Sequence, residues 1–247
     1  DSKPTAEFED LKPKARILNQ PDPTVHLFEP LRIFSGAFPR RARHLSRLSK
    51  SAAYWSFAFD MHAAETYLDA LLSEVAEGQT SSDSETQTLR LRLQLARSGA
   101  ITHRCEPIEL SSSQTSLSSE YPVVELALVQ SAVEADNAYL AHKTSRREAY
   151  DRAVRETPAG CEPIMFNTLG NVTESAIANI VYQVEGELFT PPLGDGLLPG
   201  VLRDELLNER TISERALPVT ELGAVEAFWL INSLRGWRKA VLHADSA

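Results

Sequence analysis

Residues 167–207 read NTLGNVTESAIANIVYQVEGELFTPPLGDGLLPGVLRDELL. Gly170, Gly186 and the Gly194–Gly196–Gly200 cluster divide the stretch into apolar pieces that read as strands. After Pro199-Gly200, residues 202–207 read as the start of a helix. Two features carry chemistry. Glu174 stands where a strand gives way to a small-residue loop, so it reads either as a partner for a buried cation or as an exposed turn acid. The loop-to-helix junction offers unpaired N–H groups, a ready anion site, although the same pattern serves as an ordinary connection. It is neither a GxGxxG nor a P-loop.

Outward from this stretch the alternation continues. Upstream, residues 138–155 look helical in their second half. There LAHKTSRREAYDRA sets Lys143 among Arg146, Arg147 and Arg152. A lysine crowded by cations loses its proton more easily and becomes an amine nucleophile; a solvated helix face is the plainer reading. Downstream, EAFWLINS reads as a strand. It runs into Asn232-Ser233, Arg235 and Arg238, which either close a polar pocket or end a strand in solvent.

The N-terminal half has its own pattern. In TLRLRLQLA, Leu89, Leu91, Leu93 and Leu95 face one way and Arg90, Arg92 and Gln94 the other, the alternation of a half-buried strand. Ser98-Gly99 turns it into a second strand over 101–110. Residues 61–77 predict a helix capped by Asp60, with Ala64, Leu68, Leu71, Leu72 and Val75 as its apolar stripe. HLFEPLRIFSGAF predicts two short strands around Ser35-Gly36. In RHLSRLSKSA, Leu45, Leu48 and Ala52 keep helical spacing, and His44 and Arg47 lie one turn apart; Arg47 suits a phosphate or carboxylate. SSSQTSLSS (111–119) marks the boundary between a small α+β domain (25–118) and a larger domain (119–247). Residues 1–24, with four prolines, read as an extended arm or linker.

Composition limits the function classes. The chain has 247 residues, 43% of them hydrophobic, enough for one or two packed domains. With 25 Lys and Arg against 34 Asp and Glu the net charge is −9, which argues against nucleic-acid binding. Two cysteines exclude a disulfide scaffold and zinc ribbons, and no metal site is expected. No apolar run reaches membrane-spanning length, and the N-terminus has no signal-peptide core. A cytoplasmic protein that touches no membrane is the expectation.

Taken together, Lys143, Glu174, the helix start at Val201-Leu202, Arg47 and Ser233 fit a pyridoxal phosphate site: aldehyde to lysine, ring nitrogen to glutamate, phosphate to helix, arginine and serine. The same residues resemble the class IV aminotransferase family in order and spacing, from about Phe28 to the C-terminus. The signature is Asn167, Gly170, Thr173-Glu174 and Asn179, then Thr190-Pro191-Pro192, then Leu197-Leu198-Pro199-Gly200-Val201 and Arg203. HLSRL near the N-terminus and HKTSRR complete it. HKTSRRxxYD, SERALPVTEL and NSLRGWRKA look most like the branch of lyases acting on 4-amino-4-deoxychorismate.

The resemblance implies an α/β (α+β) two-domain fold type IV enzyme with pyridoxal 5'-phosphate between the domains. It implies that Lys143 bonds the cofactor and later moves the proton, and that Glu174 pairs with the ring nitrogen. Arg47, Ser233 and the N–H groups of Val201 and Leu202 would hold the phosphate. Arg147, Tyr150 and Arg235 would meet a small anionic substrate, and Thr173 and Asn179 would shape the Glu174 loop. A homodimer and a functional link to aminodeoxychorismate synthase are further expectations. The reaction implied is a lyase step giving 4-aminobenzoate and pyruvate. The alternatives are a transaminase for branched-chain or D-amino acids and a non-catalytic dimerising domain. Two departures stand out. The family's F-E-T-x-R reads Phe28-Glu29-Pro30-Leu31-Arg32, losing a hydroxyl. Glu148 also stands five residues after the lysine, where many transaminases have tyrosine.

Overall fold

A computed structural model describes residues 24–78, 88–108 and 122–244. The expected arm (all but Thr24) and the serine-rich boundary at 111–119 lie outside the described residues.

The first half is a three-stranded antiparallel sheet in the order β1 (Leu27–Ile33), β2 (Leu89–Leu95), β3 (Ile101–Pro107), with helices α1 (Arg41–Trp55) and α2 (Met61–Gly78). The leucine alternation of β2 works as expected. Leu91, Leu93 and Leu95 are buried and pack with Leu45 and Leu48 of α1 and Leu68 of α2. Burying each such leucine stabilises the fold by roughly 1.5–3 kcal/mol. Asp60 caps α2 by accepting from the Ala63 N–H at 3.0 Å. The two strands expected around Ser35-Gly36 are one strand and a single bridge, Phe34 to Ala37. Pro39 has no N–H to extend a ladder, and the chain enters α1 at Arg41. β3 runs to Pro107, and positions 109 and 110 of the expected strand lie outside the described residues.

The second half is a seven-stranded mixed sheet. Its order is β5 (Cys161–Ile164), β4 (Val124–Leu128), β10 (Gly236–Leu242), β9 (Ala227–Asn232), β6 (Asn179–Val184), β7 (Glu187–Thr190), β8 (Ser213–Glu214). Central strands β6 and β9 are covered on both faces, which explains their unbroken apolar runs. Ile180, Tyr182, Phe228 and Leu230 face one core; Val181, Trp229 and Ile231 face the other, against Leu202 and Leu206 of helix α5 (Val201–Asn208). Glu185 and Gly186 both take positive φ, 53° and 78°, in the tight β6–β7 hairpin. The expected strand over residues 163–174 is regular only to Ile164; isolated bridges such as Phe166–Val172 and Glu174–Asn179 carry it on. Short helix α3 (Ala138–Ala141) and helix α4 (Glu148–Glu156) flank the lysine segment. Among the described residues, no helix is long and apolar enough to cross a membrane.

Backbone bonds join the two halves. The Phe28 N–H donates to the Lys143 carbonyl at 3.1 Å, Leu27 and Thr144 form a bridge, and the Ser145 N–H donates to the His26 carbonyl at 2.9 Å. β1 therefore belongs to the small sheet and also pins residues 143–145 of the large half.

Candidate active site

This pinning directs Lys143 into a cavity of about 360 Å³ between the halves. Lys143, Glu174, Arg47, Val201, Ser233, Arg147, Tyr150 and Arg235 all line it, together with residues from β1 and β2. The Lys143 Nζ lies 5.2 Å from the centre of the Phe28 ring. Burial, assisted by the Arg47 charge, lowers the Lys143 amine to about 8. A neutral, nucleophilic fraction therefore exists near neutral pH.

Glu174 is buried on the same cavity. Its Oε1 accepts from the Tyr150 hydroxyl at 2.7 Å and the Leu198 N–H at 3.0 Å, and its Oε2 accepts from Asn179 Nδ2 at 3.3 Å. Burial raises this carboxyl to about 7 against those hydrogen bonds. Burial next to Glu174 also pushes the Tyr150 hydroxyl well up, so tyrosine stays the donor. Tyr150, expected at the substrate, thus holds the carboxylate in place. Asn179 also donates to the Leu198 carbonyl at 2.9 Å. Gly200 makes room for it: a Cβ there would sit 1.8 Å from Asn179 Oδ1.

At the other end, α5 opens at Val201 behind Gly200 with no side chain capping its N–H groups. Val201 lines the cavity, whereas Leu202, expected at the phosphate, does not and packs with Val181 and Trp229 in the core beneath the sheet. Arg47 is clamped by Glu29, with Nε to Oε1 at 2.9 Å and Nη2 to Oε2 at 2.6 Å, and its Nη1 donates to the Pro199 carbonyl at 3.2 Å. Burial would raise the Glu29 carboxyl, but the Arg47 charge and the His44 and Arg47 hydrogen bonds outweigh it and hold it at about 2.

Two more arginines belong here that the β2 alternation had assigned simply to the polar face. Arg90 pairs with Glu106, whereas Arg92 lies 4.0 Å over the Phe28 ring with its buried Nε unpartnered among the described residues. Arg147 lies 4.6 Å over Tyr150 and donates to the Ala176 carbonyl at 2.8 Å. Ser175 also borders the cavity, and its buried Oγ has no partner among the described residues. The signal for Arg90 and Arg92 was two arginines on one face of a strand in an acidic chain. For Glu29 it was a single carboxylate inside an apolar run.

The arrangement is amine, buried carboxylate and anion cradle around one cavity. It can hold a ring with a cationic nitrogen at Glu174 and a phosphate at the α5 start, Arg47 and Ser233. The orphaned Ser175 hydroxyl and the uncapped helix start are donors that such a group would use. The residues fit pyridoxal phosphate.

Comparison with known proteins agrees with this geometry. The model of the class IV aminotransferase family matches residues 26–241. A Schizosaccharomyces pombe protein provisionally named aminodeoxychorismate lyase is 28% identical over 223 residues, 88% of this chain and 89% of that one. A solved structure from Mesorhizobium loti, provisionally named an amino-acid aminotransferase, is 35% identical, with a TM-score of 0.75 over 89% of this chain and 100% of that one. A Mycobacterium tuberculosis protein described as a hypothetical aminotransferase, solved in a form bound to pyridoxal phosphate, shares the fold at 20% identity, with a TM-score of 0.68 over 92% of this chain and 83% of that one. The chain is an enzyme that belongs to the class IV aminotransferase family and has its fold type IV architecture.

Proposed function

We propose that the enzyme is a pyridoxal-phosphate-dependent lyase that converts 4-amino-4-deoxychorismate to 4-aminobenzoate and pyruvate. The observation that carries this reading is the surplus of cation in the cavity. Beyond Arg47, which would serve a phosphate, Arg92, Arg147 and Arg235 line the same space, and the buried Nε of Arg92 lacks a partner among the described residues. A substrate with two carboxylates uses that surplus; a branched-chain amino acid, with one carboxylate and an apolar side chain, does not.

Bound pyridoxal phosphate would supply an electron-withdrawing ring conjugated to the substrate nitrogen. The protein does the rest. Glu174, oriented by Tyr150, Asn179 and the Leu198 N–H, would hold a proton on the ring nitrogen. Lys143, as a free amine, would take the proton from the substrate carbon that bears the amino group. The bond to the enolpyruvyl oxygen breaks, the six-membered ring becomes aromatic, and the released enol takes up a proton as pyruvate. Aromatisation drives the step, so the site contributes mainly orientation and proton transfer.

The test is product analysis with purified protein loaded with cofactor. The lyase reading predicts 4-aminobenzoate and pyruvate in equal amounts, without dependence on a keto acid. Amino transfer to 2-oxoglutarate without 4-aminobenzoate would instead identify a transaminase. Absence of both, with no borohydride-reducible bond at Lys143, would overturn the lyase reading and the role given to Lys143.

A further inference from the structure

His44 lies on α1, only 1% exposed, between two partners. Its Nδ1 is 2.7 Å from Glu29 Oε2 and its Nε2 is 2.5 Å from Ser233 Oγ. Glu29 is ionised and can only accept, so His44 Nδ1 carries a hydrogen. That leaves two states. In the neutral ring, Nε2 has a lone pair and takes the Ser233 hydroxyl proton; serine then shows only lone pairs to the cavity. In the charged ring, Nε2–H donates to Ser233 Oγ, and the hydroxyl proton is free to point into the cavity.

The surroundings of His44 set which state holds. Glu29 faces it from β1, Arg47 lies one turn along α1, and Arg40 stands just before α1. On the α5 side, the carboxylates of Glu205 and Asp204 are taken by Arg40 and Arg43. Burial lowers the His44 ring; Glu29 opposes this, and the Arg47 and Arg40 charges reinforce it. The neutral ring is therefore the resting form, and in it Ser233 presents an anion with oxygen lone pairs. A phosphate between Arg47, the α5 start and Ser233 needs donors and adds negative charge beside the ring.

We infer that His44 and Glu29 are positioning residues for the phosphate end of the site: when a phosphate dianion binds, His44 takes up a proton from solvent and Ser233 turns its hydroxyl to donate to the phosphate. This rests on the cofactor reading given above. It makes phosphate binding proton-linked through a Glu29–His44–Ser233 chain, with no proton drawn from Lys143 or Glu174. His44 borders the cavity and acts on the phosphate through Ser233.

The experiment uses full-length protein labelled with ¹⁵N-histidine and pyridoxamine 5'-phosphate as probe. The probe carries the ring and phosphate but has no aldehyde to bond Lys143. The chain has six histidines, and the His44 signals are those that move in Ser233→Ala, which removes the partner of Nε2. Without probe at pH 8, His44 should show one protonated nitrogen, Nδ1. With saturating probe at the same pH both should be protonated, which requires the titration midpoint to rise from below the ordinary 6.5 by about two pH units or more. In Ser233→Ala the probe should bind about tenfold more weakly, and the rise should shrink. A His44 ring that stays neutral with the probe bound overturns the inference and leaves the cofactor reading standing. Failure of the probe to bind at millimolar concentration overturns both.

Discussion

Glu29 and Arg47 form a two-pronged ion pair beneath the anion end of the cavity, with the carboxylate almost wholly shielded from water. A pair of this kind is costly to break from one side, because the surviving charge is left buried and alone. Glu29→Gln should therefore destabilise the protein by about 3–5 kcal/mol, read as a lowered denaturant midpoint at constant m-value. It should also weaken cofactor binding, since Arg47 loses the clamp that aims it.

Lys143 supplies a pH prediction. Its amine is held near 8 instead of 10.5, so the neutral form appears as pH rises through about 8. The rate of covalent capture of pyridoxal phosphate, followed by absorbance, should rise with a midpoint there. A midpoint near 10.5 would place the amine in bulk-like water. Lys143→Ala should abolish capture and lower turnover by at least about 10²–10⁴-fold, the range for losing a positioned proton carrier.

Glu174 makes the stability of the cofactor-free protein depend on pH. Its folded carboxyl titrates near 7 against an ordinary 4.5. Between those values the folded, cofactor-free protein binds a proton that the unfolded chain has released, so stability falls as pH rises through that window. Glu174→Gln should remove this slope and stabilise the cofactor-free protein above pH 7 by up to about 3 kcal/mol. The same variant should lose most turnover, because an amide cannot keep the ring nitrogen protonated. Thermal melts from pH 4.5 to 8, with and without cofactor, separate the two effects.

Arg92 separates substrate recognition from chemistry. Arg92→Gln should raise KM roughly 10–100-fold, the worth of a hydrogen bond to a charged group, with kcat much less affected. A fall in kcat at unchanged KM would move Arg92 from binding to the reacting step.

Much of this site was legible along the chain because its parts are local. Glu174 and the α5 start fall within one stretch whose glycines and prolines mark each turn, and Lys143 has its cationic neighbours beside it in sequence. The parts that escaped depend on which face of a strand is covered. Arg90 and Arg92 alternate with leucines as solvent-facing residues do, yet their face of β2 borders the cavity. Glu29 looks misplaced in an apolar strand until α1 brings His44 and Arg47 to it, 15 and 18 positions later. Tyr150 reads as one turn beyond the lysine, but its direction is set by packing with Leu140, Ala153 and Met165, which no spacing rule encodes.

The ladder between residues 26–28 and 143–145 has a consequence for how this protein tolerates change. The reacting amine takes its position from a strand contributed by the opposite half, so neither half can be exchanged for a foreign counterpart on its own merits. A slip of β1 by one residue would displace Lys143, turn Glu29 away from Arg47 and carry Leu27, Leu31 and Ile33 out of the core, so the seam, the anion end and the small core would fail together.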